Sequence, residues 1–215
     1  MELARDGAVY VLDLGAGENR IDGEFLDAFA ACLDRVEASD PPRALVTTGS
    51  GRFYSNGLDL EAFADETPPR RAEFLGRFER LLGRLLVAPF VTVAAIVGHC
   101  YAGGALLALA HDLRVMRADR GFFCLPSVDV GIPFTPAMTR LVTAKIPPPV
   151  SQVLVVTADR IGGEEAARTG VVSEALPAAE VVPRAVELAA AAADKDPETL
   201  ATVKRRLYDP VVSRI

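Results

Sequence analysis

The sequence predicts an α/β fold with a helical C-terminal region, and three observations support this prediction. Short apolar runs rich in β-forming residues alternate with segments of helical spacing up to about Leu125. Two of these runs lead into glycine-rich turns of the kind that join strands to helices. From Pro136 onward the pattern is mostly helical, and Pro147-Pro148-Pro149 interrupts it. We therefore divide the chain into a core, residues 1–146, and a helical region, residues 147–215.

The first elements are predicted from composition and spacing. Ala8–Leu14 is rich in β-forming residues and is followed by glycines, which indicates a strand. The segment 23–37 has helical spacing. Its shared apolar face comprises Phe25, Leu26, Phe29, Leu33 and Val36. Pro41-Pro42 then breaks the chain before a second buried strand, Ala44–Thr48.

A second helix is predicted to start at Thr67-Pro68-Pro69 and to end at Pro89, because proline favours helix starts and disrupts helix interiors. Val91–Val97 follows as a continuous apolar strand, and Gly103 opens a short helix that runs to about Ala110. Further strands are predicted over 113–117 and 121–125. The remaining predicted helices are 137–145, 150–156, 163–169, 181–193 and 198–208.

Composition excludes several classes of function. The formal net charge of −6 argues against a protein that binds nucleic acid through its phosphates. Three cysteines in apolar settings, Cys32, Cys100 and Cys124, indicate core-filling thiols in a reducing compartment. No secretory signal and no apolar run long enough to span a bilayer is visible, so we expect a cytoplasmic protein that does not bind membranes. The scattered His and Cys residues predict no metal site.

Two glycine-containing turns carry the functional prediction. The first is Ser55–Leu60, and the second is Gly98–Leu106, in which Gly103-Gly104 stands where a helix begins. The first N–H groups of a helix have no internal partners and lie at the positive end of its dipole. Each turn can direct a backbone N–H into a shared cleft, and two such donors are what a developing oxyanion needs. Either turn could instead serve packing alone.

Three segments together resemble the enoyl-CoA hydratase/isomerase (crotonase) superfamily: Phe53–Leu60, Ala102–Gly104 and Ser127–Pro133. The resemblance covers roughly residues 8–175. Within the superfamily, Ser55–Leu60 and His111-Asp112 are most similar to the Δ3,Δ2-enoyl-CoA isomerases of the plant and peroxisomal type. The resemblance implies a spiral of ββα turns, an acyl-CoA thioester as substrate with no separate cofactor, and a homotrimer or hexamer.

The resemblance also implies the site residues. The backbone N–H groups of Leu58 and Gly103 would hold the thioester oxygen as it becomes an enolate. Coenzyme A would lie over the first turn. The residues implied to contact it are Ser55, Asn56, Gly57, Leu58, Asp59 and Leu60.

The usual acid–base residues of this family are missing here. Hydratases of the family use two glutamates and many isomerases use one, and the matching positions carry Leu106 and Ser127. A serine hydroxyl is a poor base unless another group takes its proton. Asp129 lies two residues after Ser127, and in an extended segment both would face the same side, so Asp129 is a candidate base. Alternatively, Asp129 hydrogen-bonds the following turn.

We assign non-catalytic roles to the other candidate residues. His99 is expected to form part of the pocket wall, and His111 to meet free carbonyls at a helix end. Cys124 would be a poor base because apolar surroundings raise the pKa of a thiol. The basic cluster 204–206 is expected to be a solvated helix face.

The function most consistent with these residues is an enoyl-CoA isomerase-like reaction that moves a double bond from C3 to C2. An enoyl-CoA hydratase is the alternative enzyme, although water addition usually needs two carboxylates. A CoA-thioester-binding protein with lost catalysis is the alternative outside enzymes, favoured by the non-acidic pair Leu106 and Ser127. A serine hydrolase using Ser127 lacks a nucleophile-elbow sequence.

Overall fold

The computed structural model describes residues 1–214, which form a mixed α/β fold with two β-sheets. Numbered in chain order, the strands are β1 (Glu2–Asp6), β2 (Val9–Asp13), β3 (Ala44–Thr48), β4 (Phe53–Ser55), β5 (Val91–Ile96), β6 (His99–Tyr101), β7 (Leu113–Arg117), β8 (Phe123–Cys124) and β9 (Glu174–Leu176). The helices are α1 (Gly23–Glu37), α2 (Leu60–Asp65), α3 (Pro68–Leu86), α4 (Gly103–Leu109), α5 (Ser127–Val130), α6 (Pro136–Lys145), α7 (Val150–Thr157), α8 (Gly163–Arg168), α9 (Ala178–Ala190), α10 (Pro197–Leu207) and α11 (Asp209–Val212).

The larger sheet has six strands in the order β1-β2-β3-β5-β7-β9. β1 is antiparallel to β2, and every other neighbouring pair in this sheet is parallel. Successive residues of a strand face opposite sides, and this alternation supplies two cores. On one side, Val46, Val93 and Val115 pack with α9. On the other, Leu12, Leu45 and others join the main core with α1, α3 and α4.

The smaller sheet positions the functional segments. Its three strands are parallel in the order β4-β6-β8, so their carboxyl ends meet at one edge. β4 leads into the turn at Ser55–Leu60, β6 leads into Ala102 and α4, and β8 leads into Ser127 and α5. Three segments that are far apart in the chain are thereby placed side by side.

Most predicted elements are confirmed, and the differences lie in the short ones and in α9, which covers Ala178–Ala190 where we predicted 181–193. α1, α3, β3 and α4 agree with their predicted positions to within a residue or two. The predicted turn at 99–101 is instead strand β6, and the strand predicted over 121–125 contains only Phe123 and Cys124. β1, β4, α2, α5, β9 and α11 were not predicted, because three to six residues carry too little periodicity to distinguish a strand from a helix.

The C-terminal region is mostly helical, as predicted, but it also completes the larger sheet. β9 pairs in parallel with β7, and α9 packs against β3, β5 and β7. The division at residues 146 and 147 stays a prediction. Within residues 1–214, no helix combines the length and apolar character needed to cross a membrane.

Candidate active site

A cavity of about 350 Å3 opens at the edge where the strands of the smaller sheet end. Its wall is mainly apolar, and the polar groups are few. The lining residues are Arg20, Asn56, Leu58, Leu60, Glu61, Leu75, Phe78, Tyr101, Ala102, Gly103, Leu106, Pro126, Ser127, Val130, Ile132, Pro133, Phe134 and Met138. An apolar cavity with a few placed polar groups is the usual form of a small-molecule site.

The two glycine-containing turns are in direct contact because two glycines lack side chains. A Cβ added to Gly104 would lie 2.6 Å from both the Cβ and the carbonyl oxygen of Ser55. A Cβ added to Gly57 would lie 2.7 Å from the Cβ of Ala102 and 3.0 Å from the nitrogen of Gly103. Either side chain would force the turns apart, so the shared cleft predicted from sequence depends on these glycines.

The backbone N–H groups of Leu58 and Gly103 come together in this cleft. A Cβ added to Gly103 would lie 3.4 Å from the nitrogen of Leu58, and both residues line the cavity. Within residues 1–214, neither N–H donates a hydrogen bond to the protein. Gly103 is the first residue of α4, and the preceding Ala102 provides no side-chain cap. Two unpaired donors therefore border one apolar space.

Ala102 holds an unusual backbone conformation at the entry to α4. Its φ of 49° and ψ of −118° lie in a region that favours glycine. Hydrogen bonds on both sides hold it there, since its N–H donates to the Cys124 carbonyl at 3.0 Å and its carbonyl accepts from Leu106 at 3.1 Å. Strain of this kind is found where a site requires a defined geometry.

Hydrogen bonds with Asn19 fix the position of the first turn, Ser55–Leu60. The Asn19 side-chain amide donates to the carbonyls of Gly15 and Tyr54, both at 3.0 Å. The Ser55 hydroxyl donates to the Asn19 carbonyl at 2.7 Å, and the Ile21 N–H donates to the Gly57 carbonyl at 2.8 Å. These bonds fix the backbone that presents the N–H of the next residue along the turn.

The six residues expected to contact coenzyme A have different environments. Asn56, Leu58 and Leu60 line the cavity. Ser55 is buried and bonded within the protein, while the Asp59 carboxylate caps α2 by accepting from Glu61 and Ala62. Gly57 supplies the close contact with the second turn. The loop thus presents some of these residues to a ligand through side chains and others through backbone alone.

The structure separates Ser127 from Asp129. Ser127 lines the cavity, and its hydroxyl takes part in no hydrogen bond within residues 1–214. The segment 127–130 is the helix α5, not the extended segment we predicted. Residues two apart on a helix do not face the same side, and Asp129 is exposed and lies outside the cavity wall. The prediction that Asp129 reaches the cleft is wrong.

Tyr101 lies where we expected His99. His99 does not line the cavity, so its prediction as a wall residue is wrong, whereas Tyr101 does line it. The two side chains share one face of β6, and the Tyr101 hydroxyl lies 2.8 Å from Nδ1 of His99. The His99 ring also packs against Phe53 and Phe122, with centroids 5.3 and 5.7 Å away. Once 99–101 is treated as a strand, period-two spacing would have indicated this pairing.

Two charged residues at the mouth of the cavity were also missed. Arg20 bonds Glu18 at 2.6 Å and lies 3.7 Å from an Asp59 oxygen. The hydrogen bond that Arg20 donates to the Glu18 carboxylate raises the pKa of the guanidinium. Glu61 is exposed at the start of α2. Local sequence gave no signal for either residue, because the turn that brings them to the cavity had to be known first.

A buried polar cluster lies at the other end of α4. Nδ1 of His111 is 2.9 Å from the Leu107 carbonyl, and Nε2 is 2.8 Å from the Thr47 hydroxyl. This confirms the prediction that the imidazole meets a helix-end carbonyl. Burial lowers the pKa of His111 from 6.5 to about 3, so the ring is neutral.

Two lysines attach the C-terminal helices to this cluster. Lys204 is only 5% exposed and bonds Asp112 at 2.6 Å and the Phe90 carbonyl at 2.8 Å. The prediction of a solvated face is therefore wrong for Lys204, although Arg205 and Arg206 are exposed. Lys145 donates to the His111 carbonyl at 3.0 Å and to the Tyr208 hydroxyl at 2.7 Å.

The cysteines take no visible part in the cavity. Cys100 and Cys124 are buried, and Cys32 is partly buried. The Cys124 thiol donates to the Ala158 carbonyl at 3.2 Å, and burial raises its pKa. This confirms the expectation that Cys124 is a poor base.

Comparison with known proteins gives a consistent result. A family model described as enoyl-CoA hydratase/isomerase matches residues 6–214. Enoyl-CoA delta isomerase 3 of Arabidopsis thaliana is 32% identical over 216 residues, covering 96% of this chain and 91% of the relative. A probable enoyl-CoA hydratase of Bacillus subtilis is 32% identical over 211 residues, covering 97% and 81%.

Solved structures give the same fold. The apo structure of an enoyl-CoA isomerase of Mycobacterium tuberculosis superimposes with a TM-score of 0.90 at 27% identity, covering 99% of this chain and 92% of the other. An enoyl-CoA hydratase of Mycobacterium marinum gives 0.90 at 25% identity, covering 99% and 93%. The predicted ββα spiral core is confirmed by these similarities.

Proposed function

Because the chain belongs to the enoyl-CoA hydratase/isomerase family, we propose that it moves the double bond of a 3-enoyl-CoA to the 2-position through an enolate. Members of this family are enzymes that act on acyl-CoA thioesters. The observation that carries the proposal is a pair of N–H groups, those of Leu58 and Gly103, that border one apolar cavity and have no acceptor within residues 1–214. The relatives named as delta isomerases cover almost the whole chain and support the choice of reaction.

The two donors act on charge that exists only during the reaction. Removal of a C2 proton sends electron density onto the thioester oxygen, and the N–H groups of Leu58 and Gly103 hydrogen-bond that oxygen. The interaction is stronger with an enolate than with a neutral carbonyl, and this difference lowers the barrier. Donors fixed in advance by the Gly57 and Gly104 contacts need no rearrangement during the step.

The cavity and its mouth suit different parts of the substrate. The acyl chain enters the apolar space between Leu75, Phe78 and Met138. Coenzyme A lies over the turn at Ser55–Leu60, where the Arg20 cation can attract the negative charges of its phosphates. The charged part of the substrate thus stays near water while the reacting carbons are surrounded by apolar groups.

The side chains that line the cavity favour isomerisation over hydration. Leu106 and Ser127, which stand where hydratases of the family carry glutamates, both line the cavity. Addition of water usually needs two positioned carboxylates, and neither position has one. The Ser127 hydroxyl, unbonded within residues 1–214, is available to hydrogen-bond the substrate. In the proposed reaction it therefore contacts substrate in place of the usual glutamate, without acting as the base.

Turnover of a defined substrate tests the proposal. Purified protein is incubated with 3-hexenoyl-CoA, and formation of the conjugated 2-enoyl thioester is followed by absorbance and mass spectrometry. We expect conversion well above the rate without protein. Binding of the thioester without conversion would contradict the proposal and favour a CoA-thioester-binding protein. Incubation with a 2-enoyl-CoA tests hydration separately, since a 3-hydroxyacyl product would favour the hydratase alternative.

The proposal includes assembly into a homotrimer or a hexamer. Val128 of α5 and Val153 and Val156 of α7 are 55%, 47% and 66% exposed, and the two helices are in contact. Neighbouring exposed apolar side chains are common at protein interfaces. Sedimentation velocity should give three or six chain masses, and a monomer at micromolar concentration would contradict this part of the proposal.

A further inference from the structure

The proposed isomerisation needs a group that carries a proton between C2 and C4, and few residues qualify. Among the described residues that line the cavity, those with titratable side chains are Arg20, Glu61 and Tyr101. Arg20 stays protonated, and Glu61 is exposed at the mouth beside it. Tyr101 is partly buried and lies two residues before Gly103, one of the two proposed oxyanion donors.

The Tyr101 hydroxyl lies within hydrogen-bond distance of an imidazole nitrogen. It lies 2.8 Å from Nδ1 of His99, and the two ring centroids are 5.0 Å apart. Phe53 and Phe122 pack against the His99 ring and hold it in this orientation. Ser127, by contrast, has no partner within residues 1–214 that could take its proton.

We infer that Tyr101 is the catalytic proton carrier and that His99 is the positioning residue that receives the tyrosine proton. This inference rests on the proposed function. The Tyr101 oxygen takes the C2 proton as its own hydroxyl proton passes to Nδ1 of His99, and the C2–H electron pair forms the enolate. The proton then returns through the Tyr101 oxygen to C4, where the C3–C4 π electrons form the new C4–H bond. The enolate electron pair forms the C2–C3 double bond as the thioester carbonyl is restored. The substrate and the protein gain no net proton.

The charges around His99 suit a temporary proton acceptor. Tyr101 faces it on β6, and three cations face it from other segments: Arg52 before β4, Arg120 before β8, and Arg160 after α7. Burial and these cations lower the pKa of His99, which keeps the ring neutral at neutral pH and makes the imidazolium return its proton readily. Burial raises the pKa of Tyr101, so the phenol stays protonated at rest, and the Arg160 guanidinium, 5.7 Å from the Tyr101 ring, partly offsets this effect when the phenol proton passes to His99.

Four variants separate this relay from the alternatives. Tyr101→Phe keeps the ring and removes the hydroxyl, and His99→Gln removes a group that can be protonated. Glu61→Gln tests the other acid–base side chain at the cavity. Tyr10→Phe removes a hydroxyl from β2, outside the cavity, and serves as the matched control. Each variant is assayed for kcat with 3-hexenoyl-CoA and for the Kd of butyryl-CoA by calorimetry.

The relay predicts that Tyr101→Phe lowers kcat at least 100-fold, the usual contribution of a positioned acid or base, with the butyryl-CoA Kd changed less than threefold. In the wild type, kcat should fall as the pH drops through the lowered pKa of His99, and His99→Gln should lack this acidic limb. Tyr10→Phe should retain the wild-type rate.

Three results would overturn the relay, and they can be told apart. If the wild type binds the thioester but does not convert it, both the proposed function and the relay fail. If the wild type is active and Tyr101→Phe keeps more than a third of its kcat, only the relay fails. A large loss in Glu61→Gln with a normal Tyr101→Phe would place the proton carrier at the mouth of the cavity.

Discussion

The two ends of helix α4 differ in how their backbone groups are satisfied. At the N-terminal end, the Gly103 N–H has no acceptor within residues 1–214 and no capping side chain beside it. At the other end, the His111 carbonyl accepts from both Lys145 and Arg114. The neutral His111 ring donates from Nδ1 to the Leu107 carbonyl and accepts at Nε2 from the Thr47 hydroxyl. One end is open to a ligand, and the other is closed by protein.

This difference shows how a short helix can present free donors. All seven residues of Gly103–Leu109 are buried, and a helix of this length does not stand alone in water. The cluster at His111 and Asp112 ties its C-terminal end to α6 and α10 through Lys145 and Lys204. Fixing the closed end keeps the open end in place. Substitutions at the closed end should therefore mainly lower stability, and substitutions at the open end should mainly lower activity.

The largest expected effect comes from breaking the closed end. Lys204→Met leaves the partly buried Asp112 carboxylate with only Thr92 as a hydrogen-bond partner among the contacts described. Loss of one partner from a buried ion pair typically costs about 3–5 kcal/mol of unfolding free energy. Urea denaturation measures this loss. Arg205→Met, one residue along but exposed, is the control and should change stability by less than about 0.5 kcal/mol.

Breaking the open end should abolish activity instead. Gly104→Ala places a Cβ 2.6 Å from Ser55 and pushes the two turns apart, which misplaces the donors of Leu58 and Gly103. Loss of one oxyanion donor typically lowers kcat by about 100- to 1,000-fold, and we expect a loss in this range. Gly162→Ala is the control, since its Cβ would meet nothing within 4 Å and its backbone favours no left-handed conformation. Near-normal kcat in a folded Gly104→Ala would contradict the contact's role.

The closed end should also respond to acid. The pKa of His111 falls from 6.5 to about 3 on folding, so the unfolded chain binds more protons between these values. Stability from this group is complete above pH 6.5 and is lost as the pH falls toward 3, by at most about 1.4 kcal/mol per pH unit. His111→Gln should therefore lose less stability than the wild type between pH 7 and pH 5 in urea denaturation. Equal losses would show that His111 does not titrate as described.

The smallest expected effect comes from Ser127, which lines the same cavity as Gly103. Ser127→Ala removes one uncharged hydrogen bond to substrate, which is worth about 1 kcal/mol or roughly a fivefold change in kcat/KM. Steady-state kinetics with 3-hexenoyl-CoA measures it. A loss greater than 100-fold would assign Ser127 a role in proton transfer and would contradict its description as a contact residue.

The sequence predicts the open end of α4 far better than the closed one. Gly57, Gly103 and Gly104 stand in local turns, and their steric meaning can be read from a few neighbouring residues. Lys204 is 92 residues from Asp112, and nothing in its local sequence distinguishes a buried lysine from a solvated one. The position of Lys204 depends on how α10 docks, which is a property of the tertiary structure.

The proton-carrying side of the cavity was predicted least well, for a local reason. Asp129 was expected beside Ser127 because the segment was treated as extended, and four residues of helix reverse that conclusion. A turn over residues 99–101 predicts no shared direction for their side chains, whereas the observed strand places Tyr101 and His99 on one face. When the sequence does not determine whether a short segment is a strand, a helix or a turn, the directions of its side chains cannot be predicted.

The most direct test of the central claim is the infrared spectrum of a bound thioester. A CoA thioester labelled with 13C at its carbonyl is bound to the wild type and to Gly104→Ala, and the carbonyl stretch is compared with that in water. Two hydrogen bonds from Leu58 and Gly103 should shift the wild-type band to lower frequency, and Gly104→Ala should lose most of that shift. A wild-type band at the position seen in water would contradict the proposed oxyanion hole.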